Sequence, residues 1–185
     1  MNRVEALQLL KLHVREPANT SHALEAEAVM RKLAAHLGED VEKWGMCGLL
    51  HDLDWEKCKD TPETHGLVTA KMLAETSVDP EIVKAIPSHN FEYNGSPAPS
   101  TRMEIALMPA ETVTGIIVAC VLVRPDKDIA AMPLKSIKKK LKDKSFARNV
   151  NRETIATIEK LEIPQDEFIE LARVAIAEIQ SELTL

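Results

Sequence analysis

Six side chains in the first 111 residues have the types and order needed to hold divalent cations: His22, the adjacent pair His51-Asp52, His65, His89 and Glu111. Neutral imidazole suits Zn, Fe, Ni or Mn, and a carboxylate with two oxygens can bind one ion or bridge two. An imidazole and a carboxylate on consecutive residues, held by one helical turn, can both reach a single cation, so the other ligands must arrive from elsewhere in the chain. Six such groups exceed what one tetrahedral ion needs. The surplus favours two ions, an arrangement that stabilises both the attacking and the departing oxygen in displacement at phosphorus.

The elements that must position these groups read as helices. Val4, Leu7, Leu10 and Val14 form one apolar stripe, and Leu24, Ala28, Met30, Leu33 and Leu37 form a second, ended by Gly38. Asn19, Thr20 and Ser21 are each good N-caps, which predicts that His22 lies in the first turn of the second helix. Asp40 predicts the start of a third helix that delivers His51 and Asp52 at its end. A fourth helix is expected from about Pro62 to Glu75, with His65 near its start. In the next segment Pro87 should end or bend the helix just before His89. A loop over 94–100 precedes the most apolar stretch, Met103 to Val123, in which Pro109 sits two residues before Glu111. Beyond Arg124 come a basic helix around Leu134 to Leu141, a helix capped by Asn151, and a last amphipathic helix from about Gln165 to Leu183. The β-branched runs are short and do not alternate, so the expected fold is all-α.

Composition bounds the rest. At 185 residues the chain is expected to form one domain, 1–185, with a ligand-bearing region over 22–111 and a helical extension over 124–185. The net charge of -6 conceals a basic segment. Residues 133–152 carry Lys135, Lys138, Lys139, Lys140, Lys142, Lys144, Arg148 and Arg152 against the single acid Asp143. An acidic whole argues against broad nucleic-acid binding, and 3% aromatic residues is little for stacking on single strands. The basic segment reads as a solvated helix face, with Lys144 and Arg148, on either side of Phe146, as the candidates for a phosphate-binding rim. Cys47, Cys58 and Cys120 have no zinc-ribbon spacing and read as core residues of a reduced protein. Thr114 to Val123, the longest apolar run, is too short to span a bilayer, and the N-terminus shows no signal-peptide pattern. A cytoplasmic protein with no membrane partner is expected.

The ordered ligand set resembles the HD superfamily of metal-dependent phosphohydrolases. The matching segments are SHALEAEAVM with His22, GLLHDLDWE with His51-Asp52, ETHGLVTAKML with His65, AIPSHN with His89 and PAETVTGIIVA with Glu111; VLVRPDK and SFARNVNRE resemble a small bacterial branch of predicted hydrolases. The resemblance implies an all-α, HD-domain-like helical bundle. It implies one ion on His22, His51, Asp52 and Glu111, and a second on His65, His89 and a bridging Asp52. One or two divalent ions are expected, from among Fe, Mn, Zn, Ni, Co and Mg. The family's last acid is usually Asp, and here it is Glu111, one methylene longer. The Gly-Lys that follows HD in many cyclic-nucleotide phosphodiesterases is replaced by Asp54-Trp55, and no GYP signature is present, which disfavours cyclic nucleotides and cyclic dinucleotides.

The expected activity is hydrolysis of a phosphoester or phosphoanhydride bond in a small phosphorylated substrate, a nucleotide or dinucleoside polyphosphate. His51, Asp52 and Asp54 are the catalytic candidates, Asp54 as an orienting group or a general acid. The alternative is a catalytically degenerate module of the same family that binds metal or senses a ligand. Trp44 and Trp55 read as packing residues, and His13 and His36 as surface histidines outside the pattern.

Overall fold

A computed structural model describes residues 1–184, and it is helical throughout, with no strand among the described residues. The elements are α1 (Arg3–His13), α2 (Pro17–Leu37), α3 (Val41–Leu50), α4 (Trp55–Cys58), α5 (Leu67–Ala74), α6 (Pro80–Ala85), α7 (Phe91–Asn94), α8 (Arg102–Leu122), α9 (Leu134–Lys142), α10 (Arg152–Ala156) and α11 (Gln165–Glu178). Short 3-10 turns cover Pro62–Thr64, Ile86–Asn90, Thr157–Leu161 and Gln180–Glu182.

The two 21-residue helices, α2 and α8, pack on each other and organise the rest. Helix α3 lies along α2, α11 packs on both long helices, and α9 and α10 pack on α8. Met30, Leu33, Leu49, Leu50, Leu107, Ile116 and Phe168 are fully buried in the core this creates. Helix α8 has the length and apolarity to cross a bilayer, being longer than the apolar run seen in the sequence. Here it is the helix the others pack around, and Glu104 and Glu111 lie along it.

Close contact between α2 and α3 depends on glycine. A Cβ placed on Gly48 would stand 2.6 Å from the Ala26 carbonyl oxygen and 2.9 Å from the Glu27 nitrogen. Both are backbone atoms with no side-chain freedom to yield, and overpacking of this kind typically costs about 1–3 kcal/mol or more. Gly48→Ala is therefore expected to lower unfolding free energy by about 3 kcal/mol, read as a lower thermal midpoint in a two-state melt. An unchanged midpoint would show that the two helices separate easily here.

The predicted caps of Asp40, which accepts from Lys43 N at 2.9 Å, and Asn151, which accepts from Glu153 N at 2.9 Å, are present. Three boundaries differ from expectation. Helix α2 begins at Pro17, whose fixed φ suits a first helical position, and the preceding backbone is held from a distance: Glu56 accepts from Arg15 N and Glu16 N. His22 consequently sits in the second turn and not the first. The expected helix from Pro62 to Glu75 is broken at His65-Gly66, because Gly66 takes φ +81°, which a residue with a Cβ adopts only with strain. The last helix ends at Glu178 and continues only as a 3-10 turn.

Candidate metal centre

Each imidazole of the cluster comes from a different place in the chain. His22 is on α2, His51 caps the C-terminus of α3, His65 lies in the extended residue before Gly66, and His89 is in the 3-10 turn created where Pro87 ends α6. The Nδ1 atom of every ring faces an outer partner. His22 pairs with the Thr114 hydroxyl at 3.0 Å, His51 with the Gly48 carbonyl at 2.8 Å, His65 with the Asp54 carboxylate at 2.8 Å, and His89 with the Ile86 carbonyl at 2.5 Å. The Thr114 hydroxyl itself donates to the Glu111 carbonyl, so it accepts from His22.

With Nδ1 so occupied, all four Nε2 atoms turn toward one carboxylate. Asp52 Oδ1 lies 3.2 Å from His51 Nε2, 3.3 Å from His65 Nε2 and 3.6 Å from His89 Nε2, and Oδ2 lies 3.7 Å from His22 Nε2. Two sets of ligand atoms follow, His22, His51 and Asp52 in one and Asp52, His65 and His89 in the other, with all atoms of each within 4.8 Å of one another. Asp52 is common to both. Glu111 stands beside them: its Oε2 is 4.0 Å from His22 Nε2, while Oε1 accepts from the neighbouring Thr112 hydroxyl.

The electrostatics agree with the geometry. Burial drives the His51 pKa down to about 3, so the ring is neutral, with its one proton on the Nδ1 that faces Gly48. Its Nε2 lone pair is then buried with no hydrogen-bond partner. Such an orphan is costly in a neutral interior. A divalent cation resolves it, and the set of four imidazoles and two carboxylates suits one chemically. Burial opposes ionisation of Asp52, yet the imidazoles around it, His51 foremost, hold its carboxyl well below the ordinary value. His65, although buried, is raised to about 10 by Asp52 and Asp54 on its two sides. Burial also raises the Glu111 carboxyl, which opposes the pull of His22.

Asp54 is fully buried and accepts three hydrogen bonds, from His65 Nδ1, Gly66 N and Thr69 N, the latter two at 2.9 Å each. Burial works against its ionisation, but these donors keep its pKa below the usual carboxylate value. It therefore stands behind His65 as a carboxylate with no proton to give. A cavity of about 610 Å³ opens over the cluster, lined by His22, Asp52, His65, His89 and Glu111 and closed on one side by Asn149, Val150 and Asn151.

The basic segment meets this cavity differently from expectation. Lys144 and Arg148 are exposed and are not among the lining residues. Arg152 instead shapes the loop, donating to the carbonyls of Ala147 at 2.6 Å, Val150 at 2.5 Å, Asp143 at 3.2 Å and Phe146. Lys138 pairs with Asp166, and the Lys140 ammonium lies 4.2 Å over the Phe146 ring. Trp44 is buried as expected, but Trp55 is 39% exposed and lines the cavity. Thr114, Thr69 and Asn149 escaped the sequence reading. Thr114 follows Glu111 by three positions, but nothing local marks it as the partner of a histidine 92 residues away.

Comparison with known proteins agrees with this architecture. A family model described as HD domain matches residues 20–124. Ribonuclease Y of Nitratidesulfovibrio vulgaris is 28% identical over 94 residues, which is 51% of this chain and 17% of that protein. Ribonuclease Y of Lawsonia intracellularis is 28% identical over 94 residues, covering 51% and 18%. Ribonuclease Y 2 of Bdellovibrio bacteriovorus is 29% identical over 83 residues, covering 45% and 15%. The similarity thus spans less than a fifth of each relative's length. The family match covers more than half of the chain and includes all six ligand candidates, and the protein belongs to the HD-domain family of metal-dependent phosphohydrolases.

Proposed function

We propose that this chain hydrolyses a phosphorus–oxygen bond in a small, nucleotide-class phosphate. His22, His51, Asp52 and Glu111 would hold one divalent cation, and His65, His89 and the shared Asp52 a second. The observation that carries this reading is the convergence of four Nε2 atoms on the two oxygens of Asp52. When bound, divalent cations lower the pKa of water and neutralise charge building on phosphate oxygens. The chain's own contribution is orientation. Thr114, Gly48, Asp54 and Ile86 fix the tautomer and tilt of each ring, the role that outer partners of ligating histidines commonly play.

Asp54 is in this reading a positioning residue and not a general acid, since its oxygens face His65 and backbone donors. Asp54→Asn is expected to weaken cation affinity about 10- to 100-fold and to lower turnover at limiting metal, with recovery as metal is raised. Loss of turnover that saturating metal does not restore would return Asp54 to the reaction itself.

A second reading, a cation-binding module without turnover, is favoured by one feature, the hydrogen bond that turns Glu111 toward Thr112. Elemental analysis and a phosphate-release panel with Mn, Fe, Co, Ni, Zn and Mg separate the two. Hydrolysis predicts two equivalents of metal and release from at least one phosphoester; the module predicts metal with no release. The relatives' name, ribonuclease, makes RNA one arm of that panel.

A further inference from the structure

Resting on the phosphohydrolase reading above, we infer that the cavity selects esters carrying one phosphate and an aromatic ring, such as a nucleoside monophosphate, with Trp55 and Tyr93 as the ring-binding residues.

The chain has six Phe, Tyr and Trp residues. Trp44 and Phe168 are buried, and Phe91 and Phe146 are partly so. Trp55 at 39% and Tyr93 at 65% are the exposed aromatics among the described residues, and both line the cavity over the ligand cluster. Large rings left open to water on opposite stretches of chain, yet gathered at one cavity, offer a flat apolar surface for another ring. The Trp55 ring meets His65 edge-on with centroids 5.1 Å apart. A base stacked on Trp55 thus lies close to the Nε2 cluster, with a pentose as the spacer to its phosphate.

Charge sets the number of phosphates. Among the described residues that line the cavity none is Lys or Arg, and its acids are Asp52, Glu92 and Glu111. The eight cations of 133–152 do not compensate, since none of them lines the cavity and Arg152 is committed to backbone carbonyls. One phosphate can be matched at the cluster. Further phosphates would extend past it against a wall of amides and a carboxylate, where like charges repel. Asn149, and the amide NH2 of Asn151 whose oxygen caps α10, offer neutral hydrogen bonds suited to hydroxyls and base edges. In the reaction water oxygen bonds to phosphorus, the ester P–O bond breaks, and a proton passes to the departing alkoxide, leaving a nucleoside and inorganic phosphate.

The test uses cation-loaded full-length protein with AMP, ATP and glycerol 3-phosphate. The expected kcat/KM for AMP exceeds that for either of the others by about tenfold or more, and Tyr93→Ala and Trp55→Ala each lower the AMP to glycerol-phosphate ratio about tenfold, with Trp55→Phe restoring it. Because Trp44 is buried, fluorescence quenching on titration reports Trp55, and AMP but not glycerol 3-phosphate is expected to quench. Comparable turnover of all three, or ratios unmoved in the variants, overturns the inference and leaves the hydrolase reading standing. Quenching by AMP that Tyr93→Ala weakens, with no phosphate released from anything, supports the ring site and overturns the hydrolase reading instead.

Discussion

With two cations sharing Asp52 as proposed, Asp52→Ala is expected to remove both and to reduce phosphoester turnover at least about a thousandfold, the several kcal/mol that charge stabilisation at phosphorus supplies. The reason is positional. Asp52 has an oxygen within 3.7 Å of every Nε2 in the cluster and is the one residue common to both ligand sets. His51→Ala should instead remove one ion, because His51 belongs to only one set. The variants are distinguished by elemental analysis of protein purified without chelators, with turnover measured in parallel. Two retained equivalents in Asp52→Ala would show that the four imidazoles suffice and that the carboxylate is not the bridge.

A second large effect lies outside the site. Glu25, on α2, is 3% exposed and has no hydrogen-bond or ion partner among the described residues; burial raises its carboxyl from the ordinary 4.5 to about 8. Below pH 4.5 the folded and unfolded chains both hold this proton, and nothing is lost. Between 4.5 and 8 the unfolded chain gives the proton up while the folded chain retains it, so stability declines with rising pH through this window and levels off above it. At about 1.4 kcal/mol per unit, the full span is roughly 5 kcal/mol. Glu25→Gln keeps the shape and removes the charge. Its thermal midpoint should match the parent near pH 4 and exceed it by roughly 10–20 °C at pH 8.5, given about 2–4 °C per kcal/mol for a chain of this size. Parallel stability curves for parent and variant across pH 4 to 9 would show that Glu25 reaches water when it ionises.

Glu25 also illustrates a limit of pattern reading. In the sequence it is one of two acids, with Glu27, on a helix whose apolar stripe is plain, and only the packing around α2 makes it buried. Trp55 is the converse case, a large ring that composition assigns to packing and the fold leaves on the cavity rim. The basic run was legible as a basic run, but its direction was not. Arg152 turned to carbonyls and Lys144 and Arg148 to solvent, because a loop's course depends on contacts its own residues do not encode locally.

What the residues alone determined were the types and order of the six ligand candidates, the helical class, the caps at Asp40 and Asn151, and the interruption by Pro87 before His89. These follow from interactions within one or two turns, which periodicity and capping express directly. The tertiary structure decided the rest: the start of α2 through Glu56, the break at Gly66, and the orientation of the four rings around Asp52. Ring orientation is set by what each Nδ1 meets. For His51 and His89 that partner is a carbonyl three residues away, but for His22 it is Thr114, 92 residues distant, and for His65 it is Asp54 on another element. A side-chain hydrogen bond carries no periodic trace in the chain, so the direction of a ligand is known only once its distant partner has been packed beside it.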